Sequence, residues 1–261
     1  MDFTPEPQQG RIFSNEHCNL LSDCDPTGRL RLDGIARILH DTATLDNESA
    51  PAPDKGLWIL RNLSTQLRVW PGYLDSITTR TWCSGIGRAW AERRTDLYRQ
   101  NQLVAQAKAL WVNVAPDTGF PRSLPDGFLS VFGPSAMGRT LKPRFELSLP
   151  TDEPMNTGNV PLRYSDLDII DHVNNAVHLA IVEEVFAPTH RGTASLLTHY
   201  DSFAIEFHNG LQLPEHADWA LWKSGNSATL RLSQASAIAS VVLLQKEIES
   251  TMASDNDQVE S

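Results

Sequence analysis

The chain has 261 residues, 41% of them hydrophobic and 21% charged, with a net charge of −10. This is the composition of a globular protein long enough for one large domain or two ordinary ones. The acidic balance argues against nucleic acid as a partner, because neutralising phosphates needs a basic face. The longest apolar run, Ala237–Leu244, is strand-length and well short of the ~20 residues of a membrane span. The opening Met1-Asp-Phe-Thr-Pro-Glu-Pro lacks the order of a secretory signal, and three cysteines without C-x-x-C spacing favour a reducing cytoplasm over a disulfide framework.

In chain order, residues 1–10 read as a loose polar start and Ile12–Leu21 as extended. Ser22-Asp-Cys-Asp-Pro-Thr-Gly28 is a polar turn punctuated by Pro and Gly. Leu32, Ile35, Ile38, Leu39 and Ala43 repeat at helical spacing, which predicts a helix over 32–45. Residues 46–56 are linker-like. Strands are predicted at Trp58–Trp70, Ile77–Cys83, Ala89–Tyr98 and Leu103–Val114, with turns at Trp70-Pro-Gly72 and Arg99-Gln-Asn-Gln102. Residues 80–108 hold six basic side chains against Glu92 and Asp96, which reads either as a solvated strand face or as a patch for an acidic partner. Residues 126–159, rich in Pro, Gly and Ser, read as an inter-domain connection. The last sixteen residues contribute −4 of the net charge, so 247–261 reads as a disordered acidic tail.

After the connection the pattern starts again. Ser22-Asp-Cys-Asp25 is answered by Ser165-Asp-Leu-Asp168, and Trp82-Cys-Ser-Gly85 by Trp222-Lys-Ser-Gly225. Leu67–Gly72 is answered by Ile205–Gly210, and Val104-Ala105 by Ile238-Ala239. The helix of 32–45 is answered by one over 175–186. A repeat of this size means two copies of one domain rather than a solenoid. Each copy is a strand, a helix and about four antiparallel strands, which is an α+β order. The expected boundaries are 1–125 for the first copy and 160–246 for the second.

The second copy carries the richer chemistry. Asp166, Asp168, Asp171, His172, Asn174 and Asn175 crowd in front of the apolar helix. Simple N-capping needs one or two such residues. A helix start presents unpaired N–H groups that stabilise developing negative charge. A carboxylate beside it serves as general base or nucleophile. Neither G-x-S-x-G nor H-E-x-x-H occurs, so no serine nucleophile, metal or cofactor is implied.

The run Ser165-Asp-Leu-Asp168…His172-Val-Asn-Asn175, with Glu184, together with the two-copy order, resembles the acyl-ACP thioesterases. Their signature is S-D-L-D-x-N-x-H-V-N-N-x-x-Y-x-x-W-x-x-E. The resemblance implies two tandem hotdog domains, each a long helix wrapped by a curved antiparallel sheet. It also implies fatty acyl thioester hydrolysis, with the acyl chain in the first copy and chemistry in the second. Trp58, Leu60, Leu63 and Trp90 are candidates to line the chain's tunnel. Acyl carrier protein is the implied partner and acyl-CoA the alternative carrier, with monomer and homodimer both open. On this reading Asp168 is the base or nucleophile, and His172 orients water, serves the leaving thiolate or binds the carboxylate. Asn174 or Asn175 completes the oxyanion site. Asp25 is the first copy's equivalent of Asp168, either a second site or a structural turn residue. Ile170 stands where the family has Asn, and Gly210-Leu211 where it has Glu-Cys. These departures leave open an acyl-thioester binding protein with impaired catalysis. Glu184, three turns down the helix, is expected as an interior or inter-domain contact.

Overall fold

The computed structural model describes residues 2–51, 56–142, 144–188, 190 and 193–246. The tail at 247–261 lies outside the described residues.

In the first copy, β1 (Phe13–Cys18) precedes α1 (Leu32–Ser49), then β2 (Leu57–Leu67), β3 (Ser76–Ile86), β4 (Trp90–Arg99) and β5 (Gln102–Val114). A short helix, α2 (Asp126–Phe132), follows. The second copy repeats the sequence with β6 (Asn156–Pro161), α3 (Asn175–Val185), β7 (Ser202–Phe207), β8 (His216–Ser224), β9 (Ser227–Gln234) and β10 (Ala237–Gln245). These strands form one antiparallel sheet in the order β1-β3-β4-β5-β2-β7-β10-β9-β8-β6. Read from either end, the order is the same for each copy. The copies join where β2 pairs β7, with Ser64 opposite Ala204, so a pseudo-twofold axis runs through the middle of the sheet.

Local chemistry explains the elements. Leu32, Ile35, Ile38, Leu39 and Thr42 form the buried face of α1, at helical spacing. The β4–β5 hairpin turns on Gln100 and Asn101, and the β9–β10 hairpin on Ala235 and Ser236; all four have positive φ, the conformation of tight two-residue turns. Gly87, before β4, lies under the Trp90 ring, where a Cβ would sit 1.8 Å from the indole nitrogen. One apolar core runs through both copies, with Leu39, Leu63 and Val104 on one side and Leu179, Val182 and Ile205 on the other.

Residues 126–159 are more structured than a simple connection. They contain α2 and the first residues of β6. Phe128 and Phe132 of α2 stack at 4.7 Å, and Phe128 meets the Trp58 ring at 4.9 Å, giving the first copy a small second core. The Pro/Gly/Ser-rich composition hid these two aromatic anchors. The strand matches of the repeat also slide: β2 ends at Leu67 and β7 at Phe207, so Leu67 answers Phe207 rather than Ile205. Among the described residues no helix is long and apolar enough to cross a membrane.

Candidate active site

The two polar turns in front of α1 and α3 have the same hydrogen bonds, 143 residues apart. Leu20 N donates to Asp23 Oδ2 at 3.0 Å, and Arg163 N to Asp166 Oδ2 at 2.8 Å. Asp25 N donates to Arg29 O at 2.8 Å, and Asp168 N to His172 O at 2.9 Å. Thr27 N donates to Asp25 Oδ1 at 2.9 Å, and Ile170 N to Asp168 Oδ1 at 3.0 Å. Arg31 N and Asn174 N donate to Asp23 O and Asp166 O, each at 2.9 Å. Gly28 and Asp171 hold the matching positive φ, +85° and +61°.

The side chains that follow from this frame differ between the copies. In the first, Asp25 is fully engaged. Its Oδ1 accepts from Thr27 N, Thr27 Oγ1 and Arg29 N, and its Oδ2 accepts from Arg29 Nε at 2.9 Å. Burial pushes the Asp25 carboxyl up, but the hydrogen bonds from Thr27 and Arg29 outweigh it and hold it below the usual range. Arg29 continues to Glu183 of α3, with Nη2 2.6 Å from Oε2, and stacks over the Trp70 ring at 4.6 Å. Glu183 Oε1 accepts the backbone N–H of Leu32, the first residue of α1, at 2.7 Å. The first turn is therefore closed by a buried ion cluster. The sequence placed the inter-copy contact at Glu184; the structure exposes Glu184 and gives that contact to Glu183, one position around the helix.

The second turn is open. Asp166 is buried and held by Arg163, so of this pair Asp168 is the available carboxylate. Asp168 is half-buried, and among the described residues its Oδ2 has no hydrogen-bond partner. His172 is exposed, also without a side-chain partner among the described residues. Asn174 Oδ1 caps α3 by accepting from Ala176 N at 2.8 Å. Asn175 begins the helix, and its N–H corresponds to the Leu32 N–H that holds Glu183. Ile170 contributes its backbone N–H to Asp168 and leaves its side chain exposed. His178 is buried against Ser240 Oγ at 2.9 Å and the Phe207 ring, a packing role; burial pushes its imidazole down to about 4.

Sequence reasoning missed His40. It lies on α1, its Nε2 is buried without a partner among the described residues, and its ring meets Trp111 edge-on at 5.9 Å. Burial pushes the His40 imidazole down to about 4, opposed by the Asp168 carboxylate. The signal was present in the repeat: 143 residues separate His40 from Glu183, the same interval that relates the turns.

Beside His40 a small cavity is lined by Leu60, Leu63 and Trp111. A larger one of about 190 Å³ is lined by Trp58, Cys83, Trp111 and Phe128. Ala43, Arg93 and Trp111 line both. Trp58, Leu60 and Leu63 thus line cavities; Trp90 instead donates its indole N–H to Leu141 O at 3.2 Å and lines neither. The basic strands are largely neutralised within the fold: Arg80 pairs Glu6, Arg93 pairs Asp46, Arg94 pairs Asp96 and Arg99 pairs Asp75.

Two helix-on-sheet copies sharing one continuous sheet, with an open acidic turn at the second helix, define the double-hotdog class of thioester hydrolases. The acyl-ACP thioesterase N-terminal domain model matches residues 10–132 and the C-terminal domain model residues 150–220; the chain belongs to the acyl-ACP thioesterase family. It is 29% identical over 182 residues to the Mycobacterium tuberculosis protein Rv2001, covering 69% of this chain and 72% of that protein. Among solved structures it is similar to an acyl-ACP thioesterase from Bacteroides thetaiotaomicron, with 16% identity, a TM-score of 0.76 and coverage of 90% and 98% of the two chains. The 12:0-ACP thioesterase from Umbellularia californica gives 15% identity, a TM-score of 0.75 and coverage of 91% and 97%. At these identities the structural likeness establishes the fold.

Proposed function

We propose that the chain releases fatty acids from acyl-ACP, with Asp168 activating water against a thioester carbonyl held at the first turn of α3. The observation that carries this reading is the contrast between the equivalent turns. In the first copy a helix-start N–H already holds a negative oxygen, Glu183 Oε1 on Leu32 N at 2.7 Å. The thioester oxygen acquires that charge in the transition state, and Asn175 N–H is the equivalent donor.

The steps follow from this placement. Asp168 Oδ2 takes a proton from water as the water oxygen attacks the carbonyl carbon. The resulting oxyanion rests on the α3 N-terminus. Collapse breaks the C–S bond, and the proton on Asp168 passes to the thiolate, giving acid and thiol. His172, exposed beside the turn, is available to the leaving thiolate. The acyl chain runs from His40 into the cavities of the first copy.

Thiol release from matched acyl-ACP and acyl-CoA substrates of graded length, with the native protein and Asp168→Asn, tests this. The expected result is preference for acyl-ACP and a loss of ~10²–10⁴-fold in the variant with unchanged melting. Full activity in Asp168→Asn would refute the site, and equal use of CoA would refute the carrier. Tight acyl binding without thiol release would favour the binding-protein reading, which Ile170 and Gly210-Leu211 support.

A further inference from the structure

The pseudo-twofold axis maps the first copy's buried ion cluster onto three residues of the second site. Asp25 corresponds to Asp168, Arg29 to His172 and Glu183 to His40, all at the 143-residue interval of the turns. In the cluster, Glu183 crosses from one helix to the first N–H of the other. His40 occupies the counterpart position on α1.

We infer that His40 is a third catalytic residue, hydrogen-bonding through Nε2 the water that Asp168 activates. This rests on the reading of Asp168 and the α3 N-terminus as the reaction centre. Three observations support it. His40 Nε2 is buried with no partner among the described residues, an unfavourable state that a bound water or substrate would relieve. Asp168 is the charge that acts on the ring. His40 also lines the cavity beside Leu60, Leu63 and Trp111, which the acyl chain is proposed to enter. A glutamate here would lie on the Asn175 N–H as Glu183 lies on Leu32 N, and would occupy the oxyanion position. A neutral imidazole leaves that N–H free and still offers a nitrogen to water. His40 gains and loses no proton overall: one water proton goes to Asp168 and then to the thiolate, while Nε2 holds the water in line.

The test is acyl-ACP hydrolysis by His40→Ala and His40→Gln, with kcat and KM measured separately, thermal melting, and added imidazole. In folded His40→Ala we expect kcat to fall at least ~30-fold with KM within about threefold, as for loss of a group that positions the nucleophile. His40→Gln, which keeps a polar tip, and imidazole added to His40→Ala should each restore part of kcat. A folded His40→Ala with kcat within about threefold of the native enzyme overturns the inference. If His40→Ala does not fold, His40→Gln is judged instead: native kcat in that variant together with native kcat in His40→Asn overturns it. Asp168→Asn run in parallel separates the two failures, because an inactive Asp168→Asn beside an active His40→Ala refutes only the role of His40.

Discussion

Glu183 of α3 accepts the first backbone N–H of α1, Leu32 N, at 2.7 Å, while its other oxygen holds Arg29 at 2.6 Å. One carboxylate therefore caps a helix of the other copy and closes a buried ion pair. Removing it leaves Arg29 short of a partner and Leu32 N–H bare. Glu183→Ala should cost about 3–5 kcal/mol, the range for breaking a buried pair from one side. Urea unfolding checks this; a change under about 1 kcal/mol would mean the cluster contributes little.

The equivalence of the turns permits a transplant. His40→Glu combined with His172→Arg writes the Arg29–Glu183 pair into the second site, beside Asp168. The expected product is a folded protein melting at or above the native temperature, with thioester hydrolysis lost. Hydrolysis within tenfold of native, measured by thiol release, would show that the second site does not depend on an open helix start.

Ala43 lines both cavities of the first copy. Ala43→Phe should fill space on the side both cavities share and shift preference toward shorter acyl chains. A panel of graded acyl-ACPs reads the shift, and an unchanged optimum would place the chain elsewhere.

Acid should destabilise the fold through His40 and His178. Burial pushes both His40 and His178 down to about 4 from the ordinary 6.5. With the folded value below the unfolded one, the unfolded chain binds more protons between them. The histidines' contribution is then fully present above about pH 6.5 and is lost as pH falls toward 4. For His178, 2% exposed, the loss approaches ~3 kcal/mol. Melting curves from pH 7 to 4 should show this, with a shallower slope in His178→Gln; an identical slope would assign acid lability to other groups.

Much of the fold was legible because helical and strand periods are printed in the apolar residues of α1, α3 and β2–β5. Asp168 stood out because a carboxylate before H-V-N-N is a chemical pattern as well as a structural one. Other features depended on three dimensions. Phe128 and Phe132 lay hidden in a stretch whose Pro and Gly suggest a connection. Glu183 and Glu184 are adjacent acids, and only the rotation of α3 decides which one turns inward. His40 is one polar residue among several on α1, and the Asp168 charge that acts on it belongs to the other copy. Asp171, with φ of +61°, marks a turn whose shape comes from backbone geometry, which the first copy meets with Gly28.

The two copies that pair at β2–β7 are parts of one polypeptide, joined through the chain between β5 and β6. In a homodimer of single hotdogs every substitution appears twice, so an arginine and a glutamate that lock one reaction centre would lock both. Covalent fusion removes that constraint. One half is free to become a brace, as Asp25, Arg29 and Glu183 have, while the other keeps an accessible carboxylate. Fusion into one chain is thus what permits division of labour between two halves built on the same turn.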